Sequence, residues 1–338
     1  MRAWDPAKRP DQTESVRTID SDHRAPIRRV TRSRGAGRPG DLTAAARDPG
    51  RATERSRRGN ASFETLRTEL TDGVLTATLD APPINMIGPA LVRDLVTLLG
   101  GLARTTEVRV VVFDSADPDF FIAHVDLNKV AEYSAEAAKA GGGPQDAFLG
   151  MVLRKLSEVP VVTIAKLRGR ARGAGSEFVL ACDMCFAARE NALLGQPECG
   201  FGVAPGAGGL QHLTRLLGRG RAMEVILGAQ DADADLAERY GWINRALPDA
   251  ELDEFVAMLA RRIASFPSAA IQSTKLAINE LTLPPADAVR ADGRRFQELV
   301  AAPEVQNRSK ELFGRGFQTR GPLELDLGAR LADLPAAG

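Results

Sequence analysis

Residues 167–209, LRGRARGAGSEFVLACDMCFAARENALLGQPECGFGVAPGAGG, decide the fold of this chain. Glu177 follows two closely spaced glycines, and Glu198 comes shortly before a second glycine-rich turn at residues 206–209. The apolar run between them, residues 178–188, is too uniform for a loop. The stretch therefore predicts a loop, a short helix, a strand, a loop and a helix, with one carboxyl group at each functional turn.

The bulk composition indicates a globular protein in a reducing compartment. A chain of 338 residues with 44% hydrophobic residues can bury a full core in one to three domains. No apolar run approaches the roughly 20 residues of a membrane span, and the first residues lack the apolar segment of a secretory signal. Three cysteines without paired spacing argue against a disulfide framework. We expect a cytoplasmic protein.

Charge separates the first 60 residues from the rest. They contain 15 Lys and Arg and 8 Asp and Glu, a net charge of +7, so the remainder of this neutral chain carries −7. Residues 1–60 also lack apolar periodicity, which predicts a disordered basic extension. A nucleic-acid-binding arm is the alternative. Acids interleaved among the bases, and no aromatic residue besides Trp4, make nucleic acid an unlikely partner.

Strands separated by helices predict an α/β body. Alternating residues around Asp72-Gly73 predict a hairpin, and β-branched runs predict buried strands. We expect a core at residues 61–265, a helical region at 266–338, a mobile segment at 131–144 and a loose end at 321–338. The predicted strands are 63–71, 73–79, 108–113, 159–165 and 184–188; the predicted helices are 89–102, 147–156, 210–217, 219–227, 234–239, 250–265, 268–281, 287–301 and 303–317.

Glu177 and Glu198 are candidates for general acid–base chemistry, which needs one group that gives a proton and one that takes it. They are 21 positions apart, so only the fold can bring them together. Each alone could be a solvated or capping glutamate. Glycines beside both favour the functional interpretation.

Gly173 and Gly175, just before a predicted helix, would leave backbone N–H groups free to stabilise developing negative charge. The alternative, a dinucleotide-binding loop, fails where Phe178 replaces its third glycine. Cys182 and Cys185 could form a metal or redox pair. Without a second pair, they are more simply small core residues, and we predict no metal site.

The motifs together resemble the crotonase superfamily, the enoyl-CoA hydratase/isomerase family. The resemblance covers about residues 63–317 and is most specific at 168–177, 181–183, 195–198 and 205–211. It implies an α/β fold, a crotonase-like (ClpP/crotonase) spiral of β-β-α units. It also implies a helical C-terminal region that forms a homotrimer, often paired into a homohexamer.

The same resemblance implies an acyl-CoA thioester substrate and a reaction through a thioester enolate, without a metal or redox cofactor. The two oxyanion-hole N–H groups would be those of Val125 and Ala174, and the two hydratase glutamates match Glu177 and Glu198. The remaining implied substrate contacts are Ala123, His124, Asp126, Gly173 and Gly206.

Three positions depart from the family pattern. His124-Val125 stands where the family usually has Gly-Ala, and Ala174 stands where it has glycine. His124 and Arg172 add polar groups that a simple hydratase lacks. Hydration of a 2-enoyl-CoA to a 3-hydroxyacyl-CoA is the leading interpretation. A double-bond isomerase or another crotonase-type reaction is the alternative, and an RNA-binding or catalytically silent paralogue is the alternative of another class.

Overall fold

The computed structural model of the protein describes residues 63–140 and 142–334. The predicted extension, residues 1–60, lies outside these ranges. The strands are β1 Leu66–Thr71, β2 Val74–Leu79, β3 Val110–Ser115, β4 Phe120–Ile122, β5 Val162–Leu167, β6 Arg170–Arg172, β7 Met184–Ala188, β8 Leu193–Gly195, β9 Asp231–Asp233 and β10 Arg245–Leu247. The helices are α1 Pro89–Leu102, α2 Val130–Ala138, α3 Leu149–Glu158, α4 Ala174–Ala181, α5 Glu198–Phe201, α6 Gly209–Leu217, α7 Arg219–Gly228, α8 Ala234–Tyr240, α9 Asp249–Ala264, α10 Ser268–Thr282, α11 Ala286–Val300, α12 Pro303–Gly314, α13 Pro322–Leu325 and α14 Leu327–Arg330. None of these described helices is long and apolar enough to cross a bilayer.

The predicted hairpin is confirmed. β1 and β2 pair antiparallel, with Thr71 opposite Val74. Asp72 and Gly73 both have positive φ, +50° and +80°. Two positive φ angles define the hairpin turn whose twist matches that of the flanking strands, and Asp-Gly is a preferred sequence for it.

A six-stranded sheet forms the centre of the body, in the order β1-β2-β3-β5-β7-β10. All its pairs after the hairpin are parallel, which agrees with the continuous apolar runs of β3 and β5. Helices α1, α3 and α4 contribute to the main core on one face, and α9 packs on the other. The predicted α/β class with crossover helices is confirmed.

A second sheet, in the order β4-β6-β8-β9, positions the candidate site. This sheet was not predicted, because strands of three residues are too short to show a sequence period. β4, β6 and β8 are parallel, and β9 joins antiparallel to β8. The chain leaves β6 at Arg172 and enters α4 at Ala174. The glycine-rich turn therefore lies at the end of this small sheet.

The prediction of a mobile segment at residues 131–144 is wrong for its first half. α2 covers residues 130–138 there and buries Tyr133 and Ala137. Alanine is the strongest helix former, so small residues in this segment favour a helix. Ion pairs at helical spacing, Lys129 with Glu132 and Lys139 with Glu136, add to it.

The prediction of a loose end at residues 321–338 is also wrong for the described part. The helix predicted at 303–317 ends at Gly314. The chain then turns back and forms α13, α14 and a short 3-10 turn at Leu331–Asp333. Leu327 and Leu331 pack with Phe317 in a separate core cluster. We call residues 315–334 the C-terminal segment.

Candidate active site

Gly173 makes the turn between β6 and α4. Its φ is +52°, a region that glycine adopts readily because it has no Cβ. A Cβ at this position would lie 2.8 Å from Oε1 of Glu198. The turn therefore places the N-terminus of α4 directly beside the Glu198 carboxyl group, as the sequence analysis required.

Glu177 is the fourth residue of α4 and is buried. Its Oε1 accepts hydrogen bonds from the N–H groups of Ala207 and Gly209, both at 2.8 Å. Burial raises the pKa of Glu177 to about 7, although these two hydrogen bonds act in the opposite direction. The negative charge of Asp292 on α11 adds to the rise. Glu177 can therefore take up or release a proton near neutral pH.

Glu198 is the first residue of α5 and is also buried. Burial raises its pKa well above the ordinary value, and the charge of Glu177 raises it further. The amide of Gln196 satisfies its neighbours when the nitrogen donates to Gly173 O at 3.3 Å and Ser176 Oγ at 3.0 Å. The amide oxygen then faces Glu198 Oε2 at 3.5 Å, beyond hydrogen-bond distance.

Two backbone N–H groups are free beside these carboxyl groups. Ala174 begins α4, and the first N–H groups of a helix have no partner within it. Val125 forms an isolated parallel bridge with Ile87, whose N–H donates to His124 O and whose carbonyl accepts from Asp126 N. Within residues 63–140 and 142–334, no hydrogen bond uses the N–H of Val125 or Ala174.

The two carboxyl groups and the two free N–H groups lie at one cavity that opens to solvent. Among the predicted site residues, the cavity wall contains Val125, Ala174, Glu177, Glu198, His124, Gly173 and Gly206. A Cβ on Gly206 would approach Cβ of Phe296 to 2.6 Å, so α11 packs against this turn as closely as glycine allows. The structure therefore brings together seven of the nine predicted residues.

Ala123 and Asp126 do not lie in the wall of that cavity. Ala123 is fully buried and packs with Ile84 and Phe120. Asp126 caps the 3-10 turn that follows it, accepting a hydrogen bond from Asn128 N at 3.0 Å. Their places in the fold are structural, and a role in substrate binding stays a prediction for both.

Arg172 also turns away from the cavity. Its guanidinium is fully buried and makes a two-pronged ion pair with Asp231, with both N–O distances 2.7 Å. It does not add a polar group to the pocket, in contrast to the expectation from sequence. Cys182 and Cys185 are buried, unpaired core residues, as predicted. Among the described residues, no group of three or more His, Cys, Asp and Glu could hold a metal ion.

Helices distant in sequence complete the cavity wall. These positions were not predicted from the sequence, because no motif marks them and a single bulky apolar residue indicates only burial. α2 contributes one polar aromatic residue, Tyr133. The other aromatic wall residues are Phe148, Phe201, Phe296 and Phe317.

Comparison with known proteins agrees with the fold. The family model for enoyl-CoA hydratase/isomerase matches residues 69–314. The chain is 32% identical over 250 residues to the 2,3-dehydroadipyl-CoA hydratase of Escherichia coli K12, covering 74% of this chain and 94% of that protein. It is 32% identical over 208 residues to the short-chain-enoyl-CoA hydratase of Clostridium acetobutylicum, covering 61% and 77% of the two chains.

A solved structure is more similar still. The crystal structure of a candidate enoyl-CoA hydratase from Streptomyces avermitilis superimposes with a TM-score of 0.81 at 64% identity. The match covers 82% of this chain and the whole of that one. The turn from β6 through Gly173 into α4, beside two buried glutamates, therefore lies in a chain that matches one family in sequence and fold. The match covers most of the described residues. The chain belongs to the enoyl-CoA hydratase/isomerase family, the crotonase superfamily.

Proposed function

We propose that this protein is a hydro-lyase that adds water to a 2-enoyl-CoA thioester and gives a 3-hydroxyacyl-CoA. One observation carries the proposal. Two buried carboxyl groups with raised pKa values and two free backbone N–H groups lie at the same cavity. Hydration of an enoyl thioester needs both: removal of a proton from the attacking water with delivery of a proton to the α-carbon, and stabilisation of the enolate oxygen.

The thioester oxygen would accept hydrogen bonds from the N–H groups of Val125 and Ala174. Ala174 N–H also stands at the positive end of the α4 dipole, which favours negative charge there. As water attacks the β-carbon, the π electrons of the double bond move to the thioester oxygen and form an enolate. These donors act where charge develops, so they stabilise the transition state more than the substrate.

The two glutamates would have different roles, because the N–H groups of Ala207 and Gly209 stabilise the carboxylate form of Glu177. Glu177, as the carboxylate, takes a proton from the water whose oxygen bonds to the β-carbon. Glu198, as the neutral acid, gives a proton to the α-carbon. One water molecule is thereby added in full, and a proton passed from Glu177 to Glu198, directly or through solvent, restores the starting state.

The acyl group would lie against the apolar part of the wall, which contains Phe148, just before α3, and Phe296 and Val300 on α11. Tyr133 and Ser134 are polar exceptions on α2. The names of the relatives include both short-chain and dicarboxylic enoyl-CoA hydratases. A panel of acyl groups is therefore the right first experiment.

The test is a scan of short, long, aromatic and carboxylated 2-enoyl-CoA thioesters, following loss of the conjugated enoyl absorbance. Glu177→Gln and Glu198→Gln are the diagnostic variants, and the exposed Glu304→Gln is the matched control. Acid–base groups contribute roughly 100- to 10,000-fold, so each diagnostic variant should lose that much of kcat. Activity on a 3-enoyl-CoA alone would favour the isomerase instead.

We also propose that the protein self-associates as a homotrimer or homohexamer. α6, α7 and α10 expose large apolar side chains. The indole N–H of buried Trp242 beside them has no hydrogen-bond partner among the described residues. The exposed apolar residues of these helices are Leu216, Met223, Leu227, Leu276, Ile278 and Leu281.

A further inference from the structure

His124 is held between two hydrogen-bond acceptors. Its Nδ1 lies 2.8 Å from Val125 O, and its Nε2 lies 2.9 Å from Oε1 of Glu324. A carbonyl oxygen can only accept, so Nδ1 carries a proton. Oε1 of Glu324 already accepts from the N–H of Gln318 at 2.7 Å. Both ring nitrogens are thus placed to donate, which is the arrangement of an imidazolium bound to a carboxylate.

The charges around His124 favour that form. Burial lowers the pKa of His124, but Glu324 more than offsets this, and the net pKa is raised above the ordinary value. Arg172 lowers it slightly, and Asp231 neutralises Arg172. Glu198 lies on the other side of Gly173. The ring of Phe317 stacks on the imidazole, with centroids 4.5 Å apart, and excludes solvent from that face.

The ion pair of His124 and Glu324 helps to fix the backbone at Val125. The Val125 carbonyl accepts from His124 Nδ1 and, at 3.0 Å, from Gln318 Nε2. On the other side of the residue, the His124 carbonyl accepts from Ile87 N at 2.9 Å. Both peptide groups that flank Val125 are therefore held. The one group left free is the N–H of Val125, at the cavity.

We propose that His124 and Glu324 are positioning residues for the reaction, a charged pair that aims the Val125 N–H at the thioester oxygen. The inference rests on the proposed function, because that oxygen is the one the N–H would bind. It also explains why the C-terminal segment folds back onto the site. Glu324 comes from α13, and its Oε2 is buried without a hydrogen-bond partner among the described residues. An unpaired buried carboxylate oxygen is costly, which is consistent with a carboxyl group retained for its charge.

The first test is an NMR titration of the histidine ring signals, which needs no substrate. The chain has three histidines, His23, His124 and His212. Burial lowers the pKa of His212 to about 4, so its signal separates from that of His124, which a His124→Gln spectrum identifies. We expect His124 to titrate above 6.5, and clearly lower in Glu324→Gln. Glu311→Gln, which removes a charge from a surface ion pair with Arg315, is the matched control.

The second test follows turnover. Glu324→Gln keeps the side-chain volume and the acceptor for Gln318, but the imidazole loses its counterion. As pH rises past the His124 pKa of the variant, while the wild-type imidazole is still charged, the ratio of wild-type to variant kcat should grow toward about 100-fold, the loss that a 1 Å misplacement can cause. KM should change little. A ratio that does not depend on pH would overturn the proposal, as would a His124 pKa below 6.5 in the wild type.

The third test uses infrared spectra of bound butanoyl-CoA labelled with ¹³C at the thioester carbonyl. A hydrogen bond from Val125 lowers the carbonyl stretching frequency, and we expect less lowering in Glu324→Gln than in Glu311→Gln. Equal lowering in both would overturn the inference. Protein that hydrates no enoyl-CoA but shows the Glu324-dependent lowering would contradict the proposed reaction and leave the positioning role supported.

Discussion

Glu177 and Glu198 show how one cavity gives two carboxyl groups different surroundings. Both are buried, which disfavours the charged form. For Glu177, hydrogen bonds from two backbone N–H groups partly offset the effect of burial on the pKa. For Glu198, the charge of Glu177 adds to the effect of burial. The glycine-rich turn at residues 206–209 therefore stabilises the carboxylate form of Glu177 through two backbone N–H groups.

The raised pKa of Glu177 makes the free energy of unfolding depend on pH. Between pH 4.5, its ordinary pKa, and about 7, the folded state keeps this proton while the unfolded state loses it. Stability therefore falls as pH rises through this window. Glu177→Gln removes the effect and keeps the acceptor for Ala207 and Gly209. The variant should be more stable than the wild type by up to about 3 kcal/mol above pH 7.

Denaturant unfolding at pH 5 and pH 8 measures this difference. The gain from Glu177→Gln should be larger at pH 8 than at pH 5, and the exposed Glu304→Gln should show no such change. An equal gain at both values of pH would mean that the carboxyl group is not the buried, destabilised acid described above.

Gly173 gives a second prediction. Its backbone angles, φ +52° and ψ −123°, are strained for a residue with a Cβ, and that Cβ would strike Glu198. Gly173→Ala should cost about 1–3 kcal/mol in stability and remove most of kcat. Gly220→Ala, in α7 with open space around it, should keep full activity. Unchanged kcat in Gly173→Ala would show that the turn does not position the carboxyl group.

The sequence allowed prediction of the two glutamates and of the residues that carry the free N–H groups, because family motifs mark them. It did not allow prediction of Tyr133 or Glu324, which reach the cavity wall and His124 from distant helices without a motif. The prediction that Arg172 adds a polar group to the pocket was wrong. Its buried ion pair with Asp231 forms only because β6 and β9 belong to one sheet, which the sequence does not show.

The C-terminal segment is the element that differs most from expectation. Its short helices have little propensity of their own, and they depend on contacts with the small sheet. Arg172 donates to the carbonyl oxygens of Glu324 and Leu325, and Arg170 donates to Leu325 O as well. Such contacts join residues more than 150 positions apart, which local sequence patterns cannot show. The hairpin, α1 and the parallel strands were predictable because their patterns are local.

Arg172→Met tests how firmly this segment is held. Removing one partner of a buried ion pair costs about 3–5 kcal/mol, because Asp231 and the carbonyl groups lose their donors. Arg320→Met is the matched control. Arg320 also lies in the C-terminal segment and pairs with Asp117 and Asp119. It is exposed, and exposed ion pairs contribute about 0–1 kcal/mol to stability. Similar losses in denaturant unfolding for the two variants would contradict a structural role specific to Arg172.

The exposed apolar residues on α6, α7 and α10 form the surface through which we expect copies of the chain to associate. A charge placed among them should oppose self-association, because the surface would be buried between copies of the chain. We expect Leu281→Asp to lower the mass measured by light scattering from that of a trimer or hexamer toward that of one chain. Glu280→Asp, one residue away, should leave the mass unchanged. A wild type with the mass of one chain would refute the proposed assembly.

The most direct test of the proposed reaction is turnover of a 2-enoyl-CoA in ¹⁸O-labelled water, with the product analysed by mass spectrometry. A hydratase gives a 3-hydroxyacyl-CoA heavier than its substrate by one labelled water, and this product should fall at least about 100-fold in Glu198→Gln. A product with the mass of the substrate, its double bond moved and no ¹⁸O taken up, would contradict hydration and assign the site to isomerisation.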